Sequence, residues 1–196
     1  INFPLYNRVN ELYIGLEENA NILPPPKYAL PLPVVYYGSS ITQGGCASRP
    51  GMAYESIISR NLDSNYINLG FSGCALGEPE IAEYIKNLNM SAFVYDYDYN
   101  APSVEHLWNT HEQMYKTIRN ANPGLPIIMM SRPKLYLTEN ETERYQAIQT
   151  TYMHAKDRGE NVYLLDGKDL MERTAGDGTV DGIHPNDLGF SSMAQT

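Results

Sequence analysis

Residues 34–45 read VVYYGSSITQGG, an apolar and aromatic run followed by a turn rich in serine and glycine. The run is short and continuous rather than alternating, which is typical of a strand buried on both faces of a parallel sheet. Similar runs follow at residues 66–69, 92–95, 126–130 and 162–165. Together these runs predict five strands.

Longer amphipathic stretches separate the runs and predict helices at residues 54–62, 79–88, 104–120 and 141–158. Thr138 and Glu141 have the spacing of a capping box at the start of the last of these. Strands and helices thus alternate along the chain. This alternation predicts an α/β domain with a doubly wound parallel sheet.

Residues 1–33 lack the alternation and carry prolines at positions 24–26, 31 and 33. Because proline disfavours helices and central strands, we predict a lead-in and linker on the surface, followed by one domain over residues 34–196. No charged and apolar leader follows Ile1, so we expect no signal peptide in this stretch. Cytoplasmic and secreted locations both stay open.

Composition excludes several classes of partner. The chain has 196 residues, a formal net charge of -9 and 14 scattered Lys and Arg residues, which argues against nucleic acid. No apolar run approaches the roughly 18 residues of a membrane span, so we expect no membrane partner. Cys46 and Cys74 are predicted to be free and at least half-buried, with a disulfide between them as the alternative. The oligomeric state is left undetermined.

Four polar segments follow predicted strands or come near the end of the chain, at residues 38–45, 70–73, 96–100 and 181–185. In an open parallel sheet, ligands bind outside the carboxyl ends of the strands. We therefore expect these segments to converge on one edge of the sheet.

The most specific of these segments is Asp181-Gly182-Ile183-His184-Pro185. An aspartate three residues before a histidine can accept from the ring Nδ1–H, which leaves Nε2 free as a general base. Asn186 or Asp187 can then cap a closing helix. The alternative is a turn in which Asp181 and His184 are merely solvated.

Ser40 is the best candidate nucleophile, because it lies in a turn directly after the first predicted strand and a serine hydroxyl needs such a base. Ser72, in Gly-Phe-Ser-Gly, is the rival, and a purely polar turn at Ser39 and Ser40 is the alternative. The sequence lacks a G-x-S-x-G elbow, which argues against the α/β-hydrolase fold.

Acyl transfer also needs donors for the developing oxyanion. The N–H groups of Ser40 and Gly73 and the side-chain amide of Asn100 are the candidates. Alternatively, Gly73 only relieves backbone strain in a turn, and Asn100 only ends a strand. We find no metal-binding motif and expect neither a metal nor an organic cofactor.

Other polar residues are expected to have structural roles. His106, His111 and His154 lie on predicted helices without a nearby nucleophile. Arg132 follows the fourth strand, where surface solvation is the simpler prediction and a position at the site is the alternative.

Taken together, the four segments resemble the conserved blocks of the SGNH, or GDSL-like, hydrolase family. The family's serine, glycine, asparagine and histidine correspond to Ser40, Gly73, Asn100 and His184, and Asp181 corresponds to its D-x-x-H aspartate. The resemblance covers about residues 34–190. Residues 38–51, GSSITQGGCASRPG, resemble a bacterial subgroup of acetylhydrolases and carbohydrate esterases.

The sequence departs from the family pattern in two of the blocks. The family's Gly-Asp-Ser reads Gly38-Ser39-Ser40, and Asn100 lies in Asp-Tyr-Asn-Ala rather than Gly-x-Asn-Asp. The first change removes a loop carboxylate but not the triad acid. The second makes the correspondence of Asn100 less secure than that of His184.

The resemblance implies a flavodoxin-like three-layer α/β/α sandwich with a five-stranded parallel sheet. It also implies a serine esterase that cleaves short acyl esters, in particular acetyl esters of small molecules or carbohydrates, through an acyl-enzyme. By analogy, residues 1–33 connect to an absent N-terminal β-sandwich. The alternatives are an acyltransferase with the same residues, and a catalytically idle carbohydrate-binding module in which the four segments do not converge.

Overall fold

In the part of the chain that the structure describes, five parallel strands form one sheet at the centre of the molecule. The computed structural model describes residues 3–196. The strands are β1 (Leu30–Gly38), β2 (Ser64–Gly70), β3 (Ala92–Asp96), β4 (Ile127–Met130) and β5 (Val162–Leu165). Their order across the sheet is β2-β1-β3-β4-β5, and every neighbouring pair is parallel. The predicted five-stranded parallel sheet is confirmed.

Within residues 3–196, seven α-helices pack around this sheet. They are α1 (Ser40–Gln43), α2 (Tyr54–Leu62), α3 (Pro79–Ile85), α4 (Val104–Ala121), α5 (Glu139–Asp157), α6 (Gly167–Met171) and α7 (Asp187–Gln195), with 3-10 turns at Pro50–Met52 and Glu172–Thr174. The predicted capping box of α5 is present. No helix within residues 3–196 is both long enough and apolar enough to span a membrane.

The sheet separates two apolar clusters, so the molecule has three layers. Side chains alternate across a strand, and in β1 Val35 and Tyr37 contribute to one cluster while Tyr36 contributes to the other. The first cluster includes buried residues of α3, α4 and α5, and the second includes buried residues of α1, α2, α6 and α7. The three-layer α/β/α sandwich is therefore confirmed.

Strand β1 begins at Leu30, inside the stretch that we predicted to be irregular. Pro31 and Pro33 lie before Val34, where pairing with β3 begins, and the pairing with β2 is irregular between Leu30 and Val34. The prolines thus lie where the pairing with β2 is irregular and the pairing with β3 has not begun, so few N–H donors are needed there. The prediction of irregular structure is wrong for residues 30–33. The division into lead-in and domain stays a prediction, and residues 1–2 lie outside the described residues.

The carboxyl ends of three adjacent strands lie side by side. Gly38, the last residue of β1, is in register with Gly70 at the end of β2 and with Asp96 at the end of β3. The segments that follow these strands therefore start from the same edge of the sheet, which is where the candidate site forms.

Candidate active site

Ser40, His184 and Asp181 form a continuous hydrogen-bonded chain. The Oγ of Ser40 lies 2.9 Å from Nε2 of His184, and Nδ1 of His184 lies 2.7 Å from Oδ2 of Asp181. Because Asp181 accepts the Nδ1–H, Nε2 is left to accept the proton of the Ser40 hydroxyl. The structure thus brings together three residues that are separated by up to 144 positions in sequence.

The start of α1 positions Ser40. Ser39 is the N-cap of this helix, and its side chain accepts from the N–H of Ile41 at 3.2 Å. The N–H of Ser39 donates to the carbonyl of Asp96 at 3.0 Å, which ties α1 to the end of β3. Ser40 is the first residue of α1, where the N–H has no partner within the helix. This N–H is therefore free of a partner within α1.

The turn that carries His184 is organised by one carboxylate. Oδ1 of Asp181 accepts from the N–H groups of Ile183 and His184 at 2.9 and 2.7 Å. These bonds, with the bond from the His184 ring, lower the pKa of Asp181 to about 2. The carboxylate is therefore ionised at neutral pH, and it holds both the backbone and the ring of His184. Asn186 caps α7 directly after this turn.

Gly73 and Asn100 lie on neighbouring loops. Hydrogen bonds connect these loops to each other and to α1. Gly73 has a φ of 69°, in the left-handed region that favours glycine. The Nδ2 of Asn100 donates to the carbonyl of Phe71 at 2.8 Å, and the N–H of Ser72 donates to Oε1 of Gln43 at 2.8 Å. The second N–H of the Asn100 amide remains for a further acceptor.

A buried ion-pair network supports the loop of Asn100. Asp98 accepts from Nε and Nη2 of Arg132 at 2.7 and 2.9 Å. Arg144 donates to the carbonyl of Asp98 at 2.9 Å and to that of Ala101 at 2.8 Å, so its guanidinium contacts the backbone on both sides of Asn100. Arg132 is only 7% exposed, so the predicted surface solvation is wrong. No local pattern in the sequence indicated this role of Arg144.

Two further carboxyl groups are buried close to this loop. Asp96 and Glu55 are at most 1% exposed, and within residues 3–196 their oxygens have no hydrogen-bond partner. Burial, together with repulsion from Asp98, raises the pKa of Asp96 to about 8, and burial raises the pKa of Glu55 well above its ordinary value. Asp96 is therefore largely protonated at neutral pH.

Ser40 and His184 open into a cavity of about 310 Å³. Its lining consists of Tyr6, Ser40, Gly45, Cys46, Ser72 and His184. Tyr6 comes from the stretch that we predicted to be a surface lead-in, and nothing in its local sequence indicated a place at the site. Ser72 also lines the cavity, but within residues 3–196 no hydrogen bond joins it to His184.

The remaining candidates lie as follows. Cys46 and Cys74 are free and exposed, so both the predicted burial and the alternative disulfide are wrong. The rings of His106, His111 and His154 bond to the carbonyl of Leu76, to Thr151 and to Glu112, respectively. Burial lowers the pKa of His111 to about 3.

Within residues 3–196, no group of three or more His, Cys, Asp or Glu side chains could hold a metal ion.

The four polar segments therefore converge, contrary to the arrangement expected of the idle binding module. The family model described as GDSL-like lipase/acylhydrolase matches residues 32–196. This match confirms the predicted family resemblance. A search of curated proteins found no match.

Several solved structures are similar to this chain. One is described as a GDSL-like lipase from Bacteroides ovatus ATCC 8483, with 35% identity over 85% of this chain and 51% of that chain and a TM-score of 0.76. A salicylyl-acyltransferase from a tetracycline biosynthetic pathway has 18% identity over 84% of this chain and 52% of that one, with a TM-score of 0.73.

A two-domain esterase active on acetylated mannans is also similar, with 20% identity over 84% of this chain and 47% of that chain and a TM-score of 0.63. At 20% identity or below, the esterase and the acyltransferase establish the fold alone. The chain spans about half the length of these three proteins.

Proposed function

Because the chain belongs to the GDSL-like lipase/acylhydrolase family, we propose that it is a serine esterase that hydrolyses short acyl esters, specifically acetyl esters of carbohydrates. The observation that carries this proposal is the unbroken chain of hydrogen bonds from Ser40 through His184 to Asp181, with distances of 2.9 and 2.7 Å. This is the arrangement that a general base needs in order to activate a serine hydroxyl.

In the proposed mechanism, Nε2 of His184 takes the proton of Ser40 as Oγ attacks the ester carbonyl. Asp181 stabilises the imidazolium that forms and keeps the ring oriented. The N–H groups of Ser40 and Gly73 and the free N–H of the Asn100 amide stabilise the oxyanion. His184 then protonates the leaving alcohol, and a water molecule activated by the same nitrogen hydrolyses the acyl-enzyme.

Two observations support a small, uncharged ester as the substrate. The cavity at Ser40 and His184 has a volume of about 310 Å³, which is at the lower end of the roughly 300–1,000 Å³ of ligand pockets. Its lining contains no Asp, Glu, Lys or Arg side chain among the described residues. The carbohydrate part of the proposal also draws on the similar esterase that is active on acetylated mannans.

The second candidate function is acyl transfer to an alcohol by the same residues. The structural similarity to a salicylyl-acyltransferase, with a TM-score of 0.73, favours keeping this candidate. The two functions differ only in whether water or an alcohol attacks the acyl-enzyme. Analysis of the products formed with and without added sugar acceptors separates them, since only a transferase forms new sugar esters in preference to free acid.

The test of the proposed function compares hydrolysis of p-nitrophenyl acetate and p-nitrophenyl octanoate by the wild type and by Ser40→Ala and His184→Ala. We expect the acetate to be preferred and kcat to fall by at least about 10³-fold in both variants. His154→Ala, which removes an exposed histidine, is the matched control and is expected to retain activity. Ser72→Ala tests the rival nucleophile. Loss of activity in Ser72→Ala with retention in Ser40→Ala would overturn the assignment.

A further inference from the structure

The segment of residues 3–7 is docked onto the helix that carries Ser40. The carbonyl of Leu5 accepts from Nε2 of Gln43 at 3.0 Å, and the hydroxyl of Tyr6 donates to the carbonyl of Ser40 at 3.1 Å. Both contacts bridge more than 30 positions in sequence. The segment therefore has a defined position relative to the nucleophile.

Two glycines after α1 leave the space that this segment occupies. A Cβ at Gly44 would clash with the Leu5 side chain, and a Cβ at Gly45 would lie 2.7 Å from the Tyr6 hydroxyl oxygen. Gly44 also has a φ of 90°, which favours glycine. The backbone of the Ser40 loop thus fits Leu5 and Tyr6 closely.

Tyr6 is held at its hydroxyl and lines the cavity at Ser40 and His184. The hydroxyl is engaged by the Ser40 carbonyl, while the residue is 50% exposed and lines the cavity together with Ser40 and His184. Burial raises the pKa of the Tyr6 phenol, so the hydroxyl stays protonated and continues to donate. One hydrogen bond therefore fixes the ring, and part of its surface remains free for a ligand.

The position of His184 indicates which part of an ester would meet this ring. The leaving alcohol must lie next to Nε2 of His184, because that atom returns the proton. Tyr6 and His184 line the same cavity, whose other lining residues are small or uncharged. An aromatic face beside an uncharged cavity suits a sugar ring, because it covers the ring's C–H groups and leaves its hydroxyls hydrated.

We propose that Tyr6 binds the sugar of the leaving alcohol, so that the segment before the sheet supplies part of the substrate site. This inference rests on the proposed esterase function and specifies its alcohol side. It adds a substrate-binding residue from outside the stretch that the family model matches, residues 32–196.

The experiment compares two acetyl esters whose alcohols differ. Glucose pentaacetate has a sugar ring, whereas ethyl acetate has an alcohol too small to cover the Tyr6 ring. In Tyr6→Ala we expect kcat/KM for glucose pentaacetate to fall about tenfold, mainly through a higher KM, and to fall much less for ethyl acetate. Tyr6→Phe keeps the ring and is expected to restore most of the loss.

Tyr13→Ala is the matched control, because Tyr13 lies in the same N-terminal stretch, is 85% exposed and bonds to Glu11. An equal loss on both esters in Tyr6→Ala overturns the proposal, since it indicates a structural role. A gain on longer acyl chains also overturns it, because the ring would then face the acyl group. If the wild type hydrolyses neither ester, or if Ser40→Ala remains active, the proposed function itself fails.

Discussion

The Asp181–His184 turn and the loop of residues 96–101 both carry candidate site residues, but contacts of opposite kinds hold them. In the turn, one exposed carboxylate accepts from two backbone N–H groups and one ring, all within three residues of it. In the loop, Asp98 is buried and pairs with guanidinium groups that lie 34 and 46 positions away in sequence.

The difference separates two requirements of the site. In the proposed mechanism, the turn carries His184, which transfers the proton, and its short-range bonds orient the ring of His184 while leaving it accessible. The loop carries Asn100, which donates a hydrogen bond but does not transfer a proton in the proposed mechanism. Buried charged side chains hold this loop, and removing one partner of a buried ion pair strongly destabilises the fold. We therefore expect changes in the turn to act on catalysis and changes around the loop to act on stability as well.

The largest expected effect is that of Asp181→Asn on the rate. The amide cannot accept as a carboxylate does and favours the wrong tautomer of His184, so we expect kcat to fall by about 10²–10⁴-fold. The free energy of unfolding should change little, since the group is exposed. Ester hydrolysis and urea unfolding measure the two quantities.

Asp177→Asn provides the control for this prediction. Asp177 is also exposed and lies four positions before Asp181, but its hydrogen bonds use only its backbone. It should retain both activity and stability. A large loss of stability in Asp181→Asn would contradict the comparison, because the turn would then be a structural element.

The next effect in size is that of Arg144→Met on stability. This change removes one partner of the buried network and leaves the carbonyls of Asp98 and Ala101 without their donors. We expect the free energy of unfolding to fall by about 3 kcal/mol. We also expect kcat to fall, because the backbone around Asn100 loses its anchor.

Arg158→Met is the matched control for this second prediction. Arg158 pairs with Glu160 at the surface, and such pairs contribute at most about 1 kcal/mol. If Arg144→Met unfolds at the same urea concentration as Arg158→Met, the network contributes little. If it loses stability but keeps full kcat, Asn100 does not depend on Arg144 for its position.

The contrast between local and long-range contacts also explains which parts of the structure the sequence predicted. The D-x-x-H spacing is a local signal, and the strands at residues 92–95 and 162–165 were recognised because continuous apolar runs are also local. Arg144 and Tyr6 were missed since their partners, Asp98 and Ser40, lie 46 and 34 positions away. The local sequence around an arginine in a helix, or around a tyrosine in the N-terminal stretch, does not indicate such a distant partner.

The N-terminal part of β1 was missed for a related reason. Pro31 and Pro33 argued against a strand, but the cost of a proline depends on whether its missing N–H faces a partner strand. That depends on where β2 and β3 begin, which the local sequence does not give. Similarly, an arginine side chain is usually solvated. Arg132 is buried here because it forms ion pairs with Asp98 and Glu141.

The smallest expected effect, taken per pH unit, is the pH dependence of stability at Asp96, the first residue of the loop of residues 96–101. Its pKa is raised to about 8 in the folded protein, whereas an unfolded aspartate has a pKa of about 3.9. Between these values the folded state holds one more proton than the unfolded state. Stability should therefore fall as the pH rises from about 4 to about 8, by at most about 1.4 kcal/mol per pH unit, and level off above that range.

Asp96→Asn removes this titration, so the free energy of unfolding of the variant should vary less between pH 5 and 8 than that of the wild type. Urea unfolding at several pH values measures the slope, with the exposed Asp157→Asn as control. Glu55→Gln separates the contribution of the second buried carboxyl, whose pKa is raised in the same direction. An unchanged slope of the free energy of unfolding against pH in both buried variants would mean that water or a cation reaches these carboxylates. The region around the loop would then be more open than the Asp181–His184 turn.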